Sequence, residues 1–122
     1  MILYFASDLV WATRIKATAE DLGLPCRPVR NPDMLAKRLE DSEPASLILD
    51  LETEQSGLEL LAALRAHPKG QNVRVLAFGP HVKKDLMQAA RDAGAHEVLT
   101  RGAFDHDLVN ILIRLGAIAP ER

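Results

Sequence analysis

Two short apolar runs each end in a carboxylate: Ile2-Leu3-Tyr4-Phe5-Ala6 leads into Ser7-Asp8, and Leu47-Ile48-Leu49 leads into Asp50. Continuous apolar runs of this length read as strands buried on both faces of a parallel sheet. In open α/β sheets, ligands bind at the carboxyl ends of the strands. If the two runs are parallel neighbours, Asp8 and Asp50 converge at one rim. Magnesium commonly takes one or two carboxylates and keeps its waters, so this pair could hold it weakly. Arg101 and His81 fall in later loops on the same rim. A guanidinium is always charged and forked, and an imidazole titrates near neutrality, so either suits an anion.

Bland readings stand beside these. Asp50 could simply turn the chain, and His81 could be a solvated loop residue. His67, His96 and His106 are scattered with no ligand spacing, and nothing resembles a zinc site. There is no Gly-x-Gly-x-x-Gly after the first strand to cradle a dinucleotide. Trp11 reads as a packed helix residue and Glu52-Thr53-Glu54 as a solvated turn. Arg101 has a further option, a salt bridge to Asp8 or Asp50 that would stand in for a metal.

The elements that must position these residues alternate regularly. After the first strand, Trp11, Ile15, Ala19 and Leu22 recur at helical spacing over roughly Leu9 to Leu22, with Gly23 as the stop. Cys26 to Val29 is a strand that Pro25 and Pro28 assign to a sheet edge. Asn31-Pro32 reads as an N-cap with proline at the first helical position, before Met34, Leu35 and Leu39. Ser46 to Asp50 is the central strand. A polar loop, Leu51 to Ser56, precedes a helix led in by Gly57 and ended by His67-Pro68-Lys69-Gly70. Val73 to Phe78 is the fourth strand, and Leu86, Ala89, Ala90 and Ala93 mark a helix stopped by Gly94. Glu97 to Thr100 is the fifth strand, and one last helix carries Phe104, Leu108, Ile111, Leu112 and Leu115. Five strands alternating with five helices predict a parallel sheet with right-handed crossovers and helices on both faces.

Composition narrows the function classes. The 122 residues suit one domain, and 48% hydrophobic with 26% charged residues is ordinary for a globular chain. A formal net charge of −2 gives no electrostatic case for nucleic acid or an anionic membrane surface. No apolar run approaches the ~20 residues that span a bilayer. Cys26 is the lone cysteine, so no internal disulfide forms, which suits a reducing cytoplasm. Placed in a strand, it reads as a buried inert thiol.

In order and spacing the motifs resemble the receiver domains of bacterial two-component response regulators, over nearly the whole chain. Ser7-Asp8 stands at the family's acidic pair, and Leu47-Ile48-Leu49-Asp50-Leu51 is similar to the segment carrying its phospho-accepting aspartate. Gly57-Leu58-Glu59-Leu60-Leu61 resembles the start of its third helix, Ala93-Gly94-Ala95 the turn before its fifth strand. Thr100-Arg101-Gly102 falls where the family has lysine-proline. The resemblance implies a flavodoxin-like three-layer α/β/α sandwich with strand order 2-1-3-4-5. It implies Asp50 as phosphoacceptor, Asp8 and Asp50 as magnesium ligands, and Gly79, His81 and Arg101 at the phosphoryl or anion contacts.

The departures carry as much meaning. Ser7 replaces an acid, Gly79 a hydroxyl residue, Arg101-Gly102 the lysine-proline, and Val98 an aromatic that moves on activation. One extra residue lies between Arg101 and Phe104. The expectation is therefore one receiver-like domain over 1–122, with Ala119-Pro120-Glu121-Arg122 as a tail and no effector domain. It is expected to be a stand-alone pseudo-receiver in the cytoplasm that binds proteins and is not an enzyme. Expected partners are a histidine kinase, a downstream signalling protein or a second copy. By analogy the interface includes Lys83, Lys84, Arg91, Asp105 and Asp107. The alternatives are a competent magnesium-dependent phosphoacceptor and a small-ligand-binding flavodoxin-like domain.

Overall fold

A five-stranded parallel sheet of order β2-β1-β3-β4-β5 forms the middle layer. The computed structural model describes residues 1–52 and 54–118; Thr53 of the acidic loop and the 119–122 tail lie outside the described residues. The strands are β1 (Ile2–Phe5), β2 (Cys26–Pro28), β3 (Ser46–Asp50), β4 (Arg74–Gly79) and β5 (Glu97–Thr100). The helices are α1 (Leu9–Asp21), α2 (Pro32–Asp41), α3 (Glu54–Ala66), α4 (Lys84–Asp92), α5 (Arg101–His106) and α6 (Leu108–Gly116). Flavodoxin-like order and parallel pairing are as the sequence predicts.

The pleat divides the core. On one face Leu3, Leu47, Leu49, Val75 and Ala77 meet Leu35, Leu39, Leu60, Leu61, Leu64 and Leu86 from α2, α3 and α4. On the other, Ile2, Tyr4, Ile48, Leu76 and Phe78 meet Ile15, Ala19, Phe104, Ile111 and Leu115 from α1, α5 and α6. Alternate strand residues thus serve opposite layers, which explains the continuous apolar runs. Phe78 stacks on Phe104 with centroids 4.1 Å apart and planes 2° apart, and Trp11 leans on both at 5.3 and 5.6 Å. Trp11 is therefore a packed helix residue, as expected. Cys26 is half-buried, and burial pushes its thiol up to about 12.

The predicted single last helix is two. Thr100 caps α5, its Oγ1 accepting from Ala103 N at 3.2 Å, so the helix begins at Arg101. At Asp107 the backbone leaves the helical range (φ −114°, ψ 18°), and Leu108 starts α6. Across the break Phe104, Leu108, Ile111, Leu112 and Leu115 are all buried in the core. The third helix also starts earlier than Gly57, at Glu54, and β4 is shifted one residue, to Arg74–Gly79. Gly57 then lies inside α3, where a Cβ would stand 2.8 Å from the Asp50 carbonyl oxygen. Only a glycine lets the helix approach the end of β3 so closely.

Candidate functional site

Parallel register delivers Ser7, Asp8, Asp50, Gly79 and Thr100-Arg101 to one rim, because β1, β3, β4 and β5 all finish there. Asp50 is the last residue of β3 and is 1% exposed. Its Oδ2 accepts from Ser7 N at 3.2 Å and Ser7 Oγ at 3.1 Å, and its Oδ1 accepts from Glu52 N at 2.8 Å. Burial pushes the Asp50 carboxyl above the ordinary carboxylate range, and the Glu52 charge adds to this. The bonds from Glu52 and Ser7 pull the other way. Ser7, standing where an acid was expected, donates to Asp50 and reduces the cost of its charge.

Asp8 shares the rim but has different work. Its Oδ1 accepts from Val10 N at 2.7 Å, which caps α1. Magnesium bound here would take Asp8 and Asp50 and complete its shell with water, supplying a positive charge beside Asp50. An ion would have to compete with the cap on Asp8 and three donors on Asp50. Among the described residues, no three acidic, histidine or cysteine side chains gather around a common point. This donor set fits a weakly held ion and not a closed cage.

Arg101 corrects one expectation. Its guanidinium pairs with Glu52, and not with Asp8 or Asp50. The sequence alone reads Glu52 only as part of a solvated turn. The signal that could have found it was an acidic loop facing the rim's one predicted arginine. Both side chains are about half exposed, so the pair closes over the rim without being buried.

His81 and Arg101 line one shallow concavity of about 520 Å³ with Pro80, Val82, Thr100 and Gly102. The structure thus brings together two of the three residues expected at the phosphoryl or anion contacts, His81 and Arg101, without Gly79. Gly79 faces a different neighbour. A Cβ on it would stand 3.1 Å from the Leu51 Cβ, and Leu51 is fully buried. Leu51, overlooked in the sequence, closely borders the point where a side chain at Gly79 would begin. Val98 packs half-buried against the α3–α4 side of the core. Of the analogy-based interface residues, Asp105 is engaged by Arg14 of α1.

No protein-family model matches the chain, and no curated protein matches it. Solved structures do. The signal receiver domain of a signal transduction histidine kinase from Syntrophus aciditrophicus is 23% identical with a TM-score of 0.76, over 95% of this chain and 89% of that one. The receiver domain of NtrX from Brucella abortus is 17% identical with a TM-score of 0.79, over 98% of this chain and all 100% of that one. A response regulator from Thermotoga maritima is 16% identical with a TM-score of 0.75, over 95% and 96%. The fold is that of response-regulator receiver domains. At such identities the chemistry of the rim rests on this chain's own residues. No helix among the described residues is long and apolar enough to cross a membrane.

Proposed function

We propose that this chain is a receiver-like signalling domain that acts by binding proteins, with its phosphorylation switch impaired. The observation that carries this reading is Gly79 packed against Leu51. A switch needs a contact that differs between two states. After β4 there is no hydroxyl to follow a phosphoryl group, and the first atom of such a side chain would stand in a tight contact, 3.1 Å, with the Leu51 Cβ. The Glu52–Arg101 pair adds to this, since the rim cation must first leave a carboxylate before it can meet an anion. Val98 offers no ring to swing inward.

The role is binding and not catalysis. A histidine kinase or a downstream signalling protein is the proposed partner, with self-association as the other route to output. Any magnesium is held weakly by Asp8 and Asp50. The competent-phosphoacceptor reading has one observation in its favour: Asp50 is buried at the rim with its carboxylate held by oriented donors. Amide NMR spectra with magnesium, before and after beryllofluoride, separate the two. The proposal expects little change. Widespread shifts around Asp50 that vanish in Asp50→Ala would establish the competent receiver instead.

A further inference from the structure

The opposite end of the sheet carries a second concavity. It has a volume of about 480 Å³ and is walled by Lys69, Arg74, His96 and Arg114, with Asn72 and Ile118 among the rest. Ala45 precedes β3, Arg74 opens β4 and His96 precedes β5, so these residues sit where strands begin. A strand rises about 3.3 Å per residue, so Ser46 and Asp50 at the two ends of β3 lie about 13 Å apart. This floor is therefore separate from the rim built around Asp50.

Charge sets it apart. The chain has 17 acidic against 15 basic residues, yet among the described residues no carboxylate lines this concavity and three cations do. Arg114 is engaged by Glu97 at 2.6 Å. The Arg74 guanidinium makes no hydrogen bond or ion pair with any described residue, and Lys69 Nζ makes only a long bond, 3.5 Å, to Glu40 O. His96 Nδ1 accepts from Val75 N at 3.0 Å, which fixes the neutral ring's proton on Nε2 as a donor. Val73, Pro44, Ala45 and Ile118 add an apolar wall. Converging donors with one apolar side, at this volume, are the makings of a small-molecule site.

Rigidity favours a built site over a chance of the surface. The Arg65 guanidinium donates to the carbonyls of Gly70, Gln71 and Val73 at 2.9, 3.1 and 2.8 Å, and to Gly94 O at 2.7 Å. It fixes the turn that carries Gln71 and Asn72 and the approach to His96. The backbone that carries the donors is thus fixed before any ligand arrives, while the exposed Arg74 and Lys69 side chains are still to be ordered by it.

We propose that this floor binds a small phosphorylated metabolite of nucleotide size, its phosphates held by Arg74, Lys69 and the His96 Nε2–H. The site is independent of phosphorylation at Asp50, so it stands or falls apart from the reading of the rim.

The test is an amide NMR titration of the whole chain with pyrophosphate and with ATP in 0.15 M potassium chloride. The expected result is saturable shifts at Ala45, Gln71, Asn72, Arg74 and His96, with the amides around Asp50 unmoved. Losing one charge-assisted contact should weaken binding by about tenfold in Arg74→Gln, and again in Lys69→Gln. Both residues are exposed or at the surface of the floor, and matching spectra of the free variants confirm that they fold. Pyrophosphate and ATP shifting the floor alike would place recognition in the phosphates alone. ATP binding the tighter would bring in the apolar wall. No saturation, shifts spread evenly over all surface lysines and arginines, or equal affinity in both variants would overturn the proposal.

Discussion

Arg101 pairs with Glu52, and the backbone N–H of that same Glu52 donates to Asp50 Oδ1 at 2.8 Å. One residue therefore stands between the rim's cation and its buried acid, and couples them. With side chains 40% and 45% exposed, such a pair contributes about 0–1 kcal/mol. It can open at little cost. Glu52→Gln should change stability by less than about 1 kcal/mol while lowering the Asp50 pKa, because a like charge is removed and Arg101 is released. Carbon-detected NMR titration of the Asp50 carboxyl reads this directly. An Asp50 titration that stays put or moves upward would show that the two residues are not coupled.

Burial raises the Asp50 pKa in the folded chain above its unfolded value of 3.8. The unfolded state then ionises first, so this group's contribution to stability is whole below pH 3.8. It is lost as pH rises through the folded value. Asp50→Asn cannot ionise, and its Oδ1 keeps the bond from Glu52 N. The stability of the variant minus that of the wild type should therefore grow as pH rises from 4 to 7. Urea denaturation across that range measures it. Asp50→Ala instead leaves Ser7 N, Ser7 Oγ and Glu52 N without their acceptor, at about 1–3 kcal/mol for each that stays buried. A stability difference independent of pH for the asparagine variant would mean that burial is not what raises this carboxyl.

The fold was legible because strands buried on both faces leave unbroken apolar runs, and Ile2–Phe5 and Ser46–Asp50 are such runs. Asn31-Pro32, Gly23 and Gly94 marked helix ends for local reasons of capping and positive φ, which both glycines adopt. The rim was legible as a set of positions, since register alone brings Asp8, Asp50 and Arg101 to one end. Its pairings were not. Arg101 chose Glu52, and Asp50 took Ser7, through side-chain geometry that residue spacing does not encode. The break at Asp107 was hidden because apolar periodicity runs on through Phe104 and Leu108 across both helices. Leu51 was read as loop, although its full burial is what defines the space beside Gly79.

Restoring a hydroxyl tests that space. Gly79 has a negative φ, so a side chain there meets no backbone strain, only Leu51 Cβ at 3.1 Å. That contact is tighter than an ordinary one, and overpacking a filled core costs about 1–3 kcal/mol. Gly79→Ser should destabilise toward the lower end of this range. Combined with Leu51→Gly, which removes that Cβ, it should cost less than the sum of the two single changes, a coupling of about 0.5 kcal/mol or more. Denaturation of the four proteins closes the cycle. Simple additivity would mean that Leu51 does not crowd a side chain at Gly79.

Arg65 is a structural staple whose type matters more than its charge. Its guanidinium reaches four carbonyls, those of Gly70, Gln71, Val73 and Gly94, and so joins the end of α3 to the starts of β4 and β5. Burial lowers its pKa, yet a guanidinium keeps its charge where an ammonium would release a proton. Lysine offers one point of charge and cannot face both the 70–73 turn and Gly94. Arg65→Lys should therefore cost about 1.5–3 kcal/mol, the range for hydrogen bonds to a charged group. Hydrogen exchange should rise most at Val75, Ala95 and His96, whose pairing that staple supports. Unchanged stability and unchanged exchange in the lysine variant would mean that the β4–β5 floor is held by its backbone ladder alone.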